Sequence, residues 1–279
     1  MVIDGRKIAE KILEETKVEF AKLKKLPFLA AVLVGDDTGS RRFLELKKKA
    51  AEKIGIDCRL YEFPKGISNG ELRKNLNQIV KATACGGMII ELPLPAHLNP
   101  QYILNAVPEK KDPDVLSQKS QGAFWTGRSE VLPPSVEAVK SILEEYKIEP
   151  KGKTTAVFGY GLLVGKPVSH WLASQGATVS VINEFTLNAE RYSLNADLVI
   201  SGVGKPGLIK SDMIKEGAIV IDFGFAGTEE EIAGDVNFQE VGKKASLITP
   251  VPGGTGPIVV AAVLRNLVIL ISNRSGNAL

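Results

Sequence analysis

The chain has 279 residues, 44% apolar and 24% charged, with a net charge of +3 spread along its length, which suits one large or two ordinary α/β domains and argues against a nucleic-acid partner. Two cysteines without C-x-x-C spacing (Cys58, Cys85) and two distant histidines (His97, His170) exclude a disulfide framework and a His/Cys metal cluster, so no metal is expected and the thiols read as idle in a reducing, cytoplasmic compartment. No uninterrupted apolar run reaches about eighteen residues and the first residues mix acids with bases, so neither a membrane span nor a leader is expected.

Asp4 caps an expected helix running to about Lys25, with Ile8, Ile12 and Leu13 on one face and Pro27 beyond its end. Phe28–Val34 is wholly apolar, as a buried parallel strand requires. After the loop Gly35–Gly39, Ser40 is the expected cap of a helix from Arg41 to about Ile54. Phe43, Lys47, Ala50 and Ile54 share one face of it, while Lys48 and Lys49 point away. Lys47 therefore sits on an apolar stripe. It is either a lysine snorkelling at the edge of the core or one whose pKa partial burial can tune for acid, base or donor work.

Ile56–Phe63 reads as a strand, and Ser68 caps a helix from Asn69 to Ala82. Gly86–Pro95 is a third strand entering a rigid turn. Glu91 lies at its C-terminal end, where open α/β sheets place binding residues. A helix from Pro100 to Ala106 precedes a charged loop carrying Asp112 and Asp114, two residues apart, for which a solvated turn is the alternative reading. The poorly patterned stretch Val115–Pro134 reads as loop, and Ser135 caps a helix from Val136 to Tyr146.

Thr155–Phe158 then runs as a strand into Gly159, Tyr160, Gly161, Val164 and Gly165, followed by an apolar helix from Val168 to Gln175 and a second strand, Thr178–Ile182. Strand, glycine turn and helix form a pyrophosphate cradle: glycines bring backbone close to phosphate, and the helix start offers unpaired N–H groups. The spacing is one residue longer than the commonest fingerprint, so a tight strand–helix turn is the plainer alternative. Glu184 follows about 25 residues beyond Gly159, near where an acid accepts from the ribose hydroxyls. A carboxylate there repels a 2′-phosphate, and no arginine lies in the turn, so NAD is favoured over NADP. A solvated loop acid is the alternative reading of Glu184.

Ala196–Ser201 and Ala218–Gly224 are further strands with turns at their C-terminal ends, and Phe225 faces the expected cofactor crevice. Gly234-Asp235 opens a short connector, and Ser246–Thr249 is the last strand. The stiff loop Pro250–Pro257 leads into an apolar helix from Ile258 to about Ser272, which must pack on a domain.

Several segments together resemble one family, the bifunctional methylenetetrahydrofolate dehydrogenase/cyclohydrolases. They are Val34-Gly-Asp-Asp with Ser40 and Lys47, Leu92-Pro93-Leu-Pro95, Lys111-Asp-Pro-Asp114, Val164-Gly-Lys-Pro167, Gly204–Ile209, Gly234-Asp-Val236 and, most specific, Ile248–Pro257. The resemblance covers almost the whole chain. It implies an α/β fold with an N-terminal folate domain (1–138), a Rossmann-type doubly wound parallel-sheet domain (139–257), and a last helix (258–279) returning to the first domain, with folate in the cleft between. It also implies tetrahydrofolate derivatives as substrates and a homodimer. The implied activities are NAD(P)-linked oxidation of 5,10-methylenetetrahydrofolate to the methenyl form and hydrolysis of that form to 10-formyltetrahydrofolate. Lys47 matches the family's key lysine and Asp114 its pterin-binding aspartate. Phe43, Leu92, Pro93, Pro252, Gly253, Gly254 and Pro257 are the implied substrate contacts.

Departures from the family pattern matter as much. Its tyrosine is Phe43 here, its glutamine before Leu-Pro-Leu is Glu91, and its glycine after the second aspartate is Val115. Its Gly-Arg-Ser is Gly159-Tyr-Gly161, and its histidine–serine pair is Asn183-Glu184. A carboxylate beside Lys47 raises the lysine's pKa and starves the hydrolytic step of neutral amine; alternatively a protonated Glu91 mimics glutamine. Two other readings stay open: a dinucleotide- or folate-binding homologue without catalysis, and a dehydrogenase of similar architecture for another small substrate.

Overall fold

The computed structural model describes residues 1–23, 26–227 and 232–276. They divide into two compact units, one of Glu10–Pro134 with the chain from Val260 on, the other of Met1–Ala9 with Ser135–Val259.

The N-terminal half runs α1 (Gly5–Ala21), β1 (Phe28–Val34), α2 (Thr38–Lys53), β2 (Cys58–Phe63), α3 (Asn69–Lys81), β3 (Cys85–Ile90), α4 (Pro100–Leu104) and α5 (Gln118–Trp125). Three parallel strands lie in the order β2-β1-β3. Central β1 and its neighbour β3 are buried at every position, which is why both are apolar without alternation, whereas edge strand β2 has no buried position. Caps follow the side chains. The Asp4 carboxylate accepts from the amides of Arg6 and Lys7 at 3.1 Å, the Ser68 hydroxyl from Glu71 at 3.2 Å, and Asn99 from Tyr102 at 3.0 Å.

Three expectations need correction in this unit. α1 stops at Ala21, before Lys25, which lies outside the described residues. α2 is capped by Asp37, which accepts from the Ser40 amide at 2.7 Å, because an aspartate one turn earlier reaches the free amides first; Ser40 is thus inside the helix. The stretch Val115–Pro134 contains α5, capped by Ser117. That helix buries only Ser120 and Phe124 and so shows no apolar stripe to read.

The other unit holds α6 (Pro134–Glu145), β4 (Thr154–Phe158), α7 (Gly165–Ser174), β5 (Thr178–Ile182), α8 (Glu190–Ser193), β6 (Leu198–Ser201), β7 (Ile219–Asp222), the ribbon β8 (Ala226–Gly227) and β9 (Ile232–Ala233), α9 (Phe238–Val241), β10 (Leu247–Ile248) and the start of α10 (Thr255–Gly276). Five parallel strands lie in the order β10-β7-β6-β4-β5. The winding reverses between β4 and β6, and a doubly wound sheet binds its ligand beyond the carboxyl ends of the strands at such a reversal. Val2 pairs in parallel with Ile248, adding the first residues to the β10 edge. Ser135 lies within α6 rather than capping it, and its hydroxyl donates to the Leu163 carbonyl at 2.5 Å.

The apolar run of α10 is interrupted by Arg265 and Asn266. Even so, Thr255–Arg274 is long and apolar enough to cross a membrane by length and composition, with a mean hydropathy of 1.9. Two-thirds of it (67%) is buried inside the protein, the pattern of a core helix.

Candidate active site

In the first unit, α2 and the end of β3 bring two opposite charges together in the core. Glu91 directly follows β3, and its amide continues the ladder by donating to the Val32 carbonyl at 2.9 Å. Lys47 rises from α2, whose buried face is Ser40, Leu44, Lys47 and Ala51. That stripe is rotated by one residue from the expected Phe43–Lys47–Ala50–Ile54 set. Lys47 belongs to both because it is three residues from Leu44 and four from Ala51. Lys47 is 5% exposed and Glu91 6%. The ammonium Nζ donates to Glu91 Oε1 at 2.6 Å and stands 5.5 Å from the centre of the Phe43 ring. It is therefore a buried, ion-paired cation rather than a snorkelling one. The Ser40 hydroxyl lies within hydrogen-bond distance of Asp37 and of the Leu92 carbonyl, tying α2 to the Leu92-Pro93 turn.

Electrostatics follow from this pairing. Burial alone favours the neutral amine, but the Asp114 and Glu91 carboxylates outweigh it and hold Lys47 above the usual lysine range. Asp114 is half-buried, and burial pushes its carboxyl up to about 6 against the pull of Lys47. Lys47, Glu91, Asp114 and Phe43 thus form one cluster, while Pro93 stands exposed at its margin. The Cys58 thiol is pushed up to about 11 and that of Cys85 upward, both by burial, so neither is a thiolate near neutrality.

The second unit builds its site from backbone. Gly159, at the end of β4, has φ +91°, a conformation that favours glycine. A Cβ on Gly165 would overlap the Gly159 carbonyl and the Tyr160 Cα, and one on Gly202 would overlap the Val164 side chain. Those glycines let α7 and the β6 loop close on the turn, whereas Gly161 and Gly204 face open space. α7 starts at Gly165 with no side-chain cap. The expected row of unpaired amides is not there, because the Lys166 amide already donates to the Gly161 carbonyl at 3.0 Å and Pro167 has no N–H. Close-packed glycines beside open space are what suit the pyrophosphate of a dinucleotide. Tyr160 is half-exposed, with the Lys166 ammonium 5.6 Å from its ring centre. Glu184 is exposed in the turn after β5, and Phe225 is exposed after β7. In the loop before α10, Gly253 has φ +100° with Arg6 beside it, and a Cβ on Gly254 would overlap the Pro250 carbonyl; Pro252 is exposed and Pro257 half-buried.

Two buried carboxylates in this unit were not singled out by sequence. Asp235, expected in a connector, is fully buried; it accepts from the Ser201 hydroxyl and the amides of Val203 and Lys205, each at 2.7 Å. It thereby shapes the loop after β6. Asp222, at the end of β7, accepts from the amides of Gly224, Asp235 and Val236. Burial pushes the Asp222 carboxyl up to about 6. The two are interlocked: a Cβ on Gly224 would overlap Asp235, and one on Gly234 would overlap the Asp222 carboxylate. The available signal was an aspartate within two residues of a glycine.

The family model "tetrahydrofolate dehydrogenase/cyclohydrolase, catalytic domain" matches residues 3–114, and the corresponding NAD(P)-binding domain model matches residues 133–275. The bifunctional protein FolD of Nautilia profundicola is 41% identical over 271 residues, covering 96% of this chain and 95% of that protein. Among solved structures, the bifunctional methylenetetrahydrofolate dehydrogenase/cyclohydrolase FolD of Campylobacter jejuni has a TM-score of 0.94 at 37% identity, covering 98% of this chain and 99% of that one. The FolD of Trypanosoma brucei, complexed with NADP cofactor and inhibitor, has a TM-score of 0.94 at 32% identity, covering 100% of this chain and 99% of that one.

Proposed function

The chain belongs to the tetrahydrofolate dehydrogenase/cyclohydrolase family, and from that premise we propose that it oxidises 5,10-methylenetetrahydrofolate to the methenyl form with a nicotinamide dinucleotide and hydrolyses the methenyl form only slowly. The observation that carries the second half is the buried Lys47–Glu91 pair at 2.6 Å.

Asp114 accepts hydrogen bonds from the pterin's amino groups, Phe43 flanks the ring, and the Lys47 ammonium orients the folate. Leu92, Pro93 and the Pro252–Pro257 loop complete the substrate contacts. A bound dinucleotide supplies the acceptor for the hydride leaving the methylene carbon. Gly159, Tyr160, Gly161, Val164 and Gly165 cradle its pyrophosphate, and Glu184 takes its ribose hydroxyls. Placing the two reactants accounts for most of this step, which needs no proton from Lys47.

Hydrolysis is different. Water adds to the methenyl carbon, one carbon–nitrogen bond breaks, the freed ring nitrogen takes a proton and a second proton is released. A base must receive it. Lys47 held as an ammonium cannot, and each pKa unit upward lowers the neutral amine about tenfold. The proposal extends to cofactor choice, since the exposed Glu184 carboxylate repels a 2′-phosphate and the glycine turn carries no arginine. A homodimer is also proposed; edge strand β5, with exposed Val181 and with Phe185 and Leu187 beyond it, offers a surface for it.

The test is reduced-cofactor formation from methylenetetrahydrofolate, with NAD and NADP side by side, while methenyl absorbance is followed. Turnover with NAD and a persistent methenyl signal are expected. A transient methenyl signal would sink the argument from Glu91, and preference for NADP the one from Glu184.

A further inference from the structure

Val115 follows Asp114 and has φ +58°, although it is β-branched and only 2% exposed. A left-handed conformation brings Cβ against the carbonyl, and a β-branched residue tolerates it least. The turn is nonetheless pinned on both sides. Asn266, on α10 and 2% exposed, donates from Nδ2 to the carbonyls of Pro113 at 2.9 Å and Leu132 at 2.8 Å. Asp112, also 2% exposed, accepts from the amides of Leu116 at 3.0 Å and Ser117 at 2.8 Å. The Lys111 ammonium donates to the Val80 carbonyl at 2.7 Å and anchors the start of the segment. With the chain fixed before Asp114 and after Val115, the link between them closes through a left-handed residue.

We propose that Asn266 and Asp112 are positioning residues that hold Asp114 toward the folate by forcing Val115 into a left-handed turn. This rests on the reading of Asp114 as the folate-binding carboxylate. Neither residue reaches substrate in this account; each acts through the backbone of the Asp112–Ser117 turn. Without the clamp, Val115 returns to an extended conformation and swings the Asp114 carboxylate away. Glycine at 115 has no such preference, so it keeps the turn without the clamp.

The experiment compares Asn266→Leu, Val115→Gly, their combination and Asp114→Asn in the full chain, measuring KM for methylenetetrahydrofolate and for the dinucleotide separately. Asn266→Leu keeps the side-chain size and deletes both donors. It is expected to raise the folate KM about tenfold, the scale of one lost positioning interaction, with the dinucleotide KM unchanged. Val115→Gly alone stays near the parent, and the combination returns toward it. An unchanged folate KM in Asn266→Leu, or a raised one that Val115→Gly does not restore, overturns the proposal. If Asn266→Leu fails to fold, Asp112→Asn with and without Val115→Gly makes the same comparison. Asp114→Asn separates the two readings. If it leaves the folate KM unchanged, the folate role of Asp114 falls and takes the clamp with it. If it raises the KM and Asn266→Leu does not, only the clamp falls.

Discussion

In the first unit, Glu91 lies buried against an ammonium 2.6 Å away; in the second, Asp235 lies fully buried against a hydroxyl and two backbone amides. Both solve the problem of a carboxylate out of water. An ion pair answers it with a partner that can itself lose a proton or be substituted, so the first site is chemically adjustable. Amides cannot titrate, so the partners that hold Asp235 are fixed. That division fits a unit that handles the reacting folate and one that holds a dinucleotide by shape.

The comparison can be broken in several places, beginning with the largest effect. Replacing Lys47 by methionine strands Glu91 without a partner and should cost about 3–5 kcal/mol in urea unfolding. Adding Glu91→Leu should recover most of that loss; if the double variant is as unstable as the single, the pair is not the source. Asp235→Ala leaves its hydroxyl and two amides without the carboxylate and should cost about 2–3 kcal/mol, with a raised dinucleotide KM. An unchanged dinucleotide KM would mean the loop after β6 keeps its shape unaided.

Glu91→Gln removes a carboxylate but keeps its size, lowers the Lys47 pKa and should raise methenyl hydrolysis about tenfold, with little change in hydride transfer. Equal effects on both steps would argue against a proton-transfer role for Lys47. The smallest expected effect is a pH dependence. The Asp114 carboxyl sits at about 6, above the ordinary aspartate value, so it takes up its proton as pH falls through that point and loses its anionic acceptor character. The folate KM should rise several-fold below about pH 6 and be flat above it. The Asp114→Asn variant should lack that rise.

Much of this was legible in the chain, and the gaps have physical causes. β1 was readable to its ends because a strand buried on both faces is uniformly apolar. The glycine turn was readable because Gly159 and Gly165 answer to backbone geometry, which composition reports directly. The burial of Lys47 was legible from its place on a helical face even though that face was rotated by one residue. α5 was missed because it buries a serine and one phenylalanine and shows no period. Asp235, Asp112 and Asn266 were missed as structural nodes because their partners are peptide groups, and a peptide group leaves no mark in the sequence that contains it.

The interlocked pairs Gly224–Asp235 and Gly234–Asp222 carry a consequence for how this chain can drift. Gly234 leaves the space that the Asp222 carboxylate occupies, Gly224 the space of the Asp235 carboxylate and backbone nitrogen, and the Asp235 amide donates in turn to Asp222. A larger residue at either glycine displaces one acid and, through it, the other. In a library of random variants these four positions should fail as a block; Gly224 should accept no replacement, because a backbone nitrogen stands in its way whatever residue follows at 235, whereas Gly234 should change only together with Asp222.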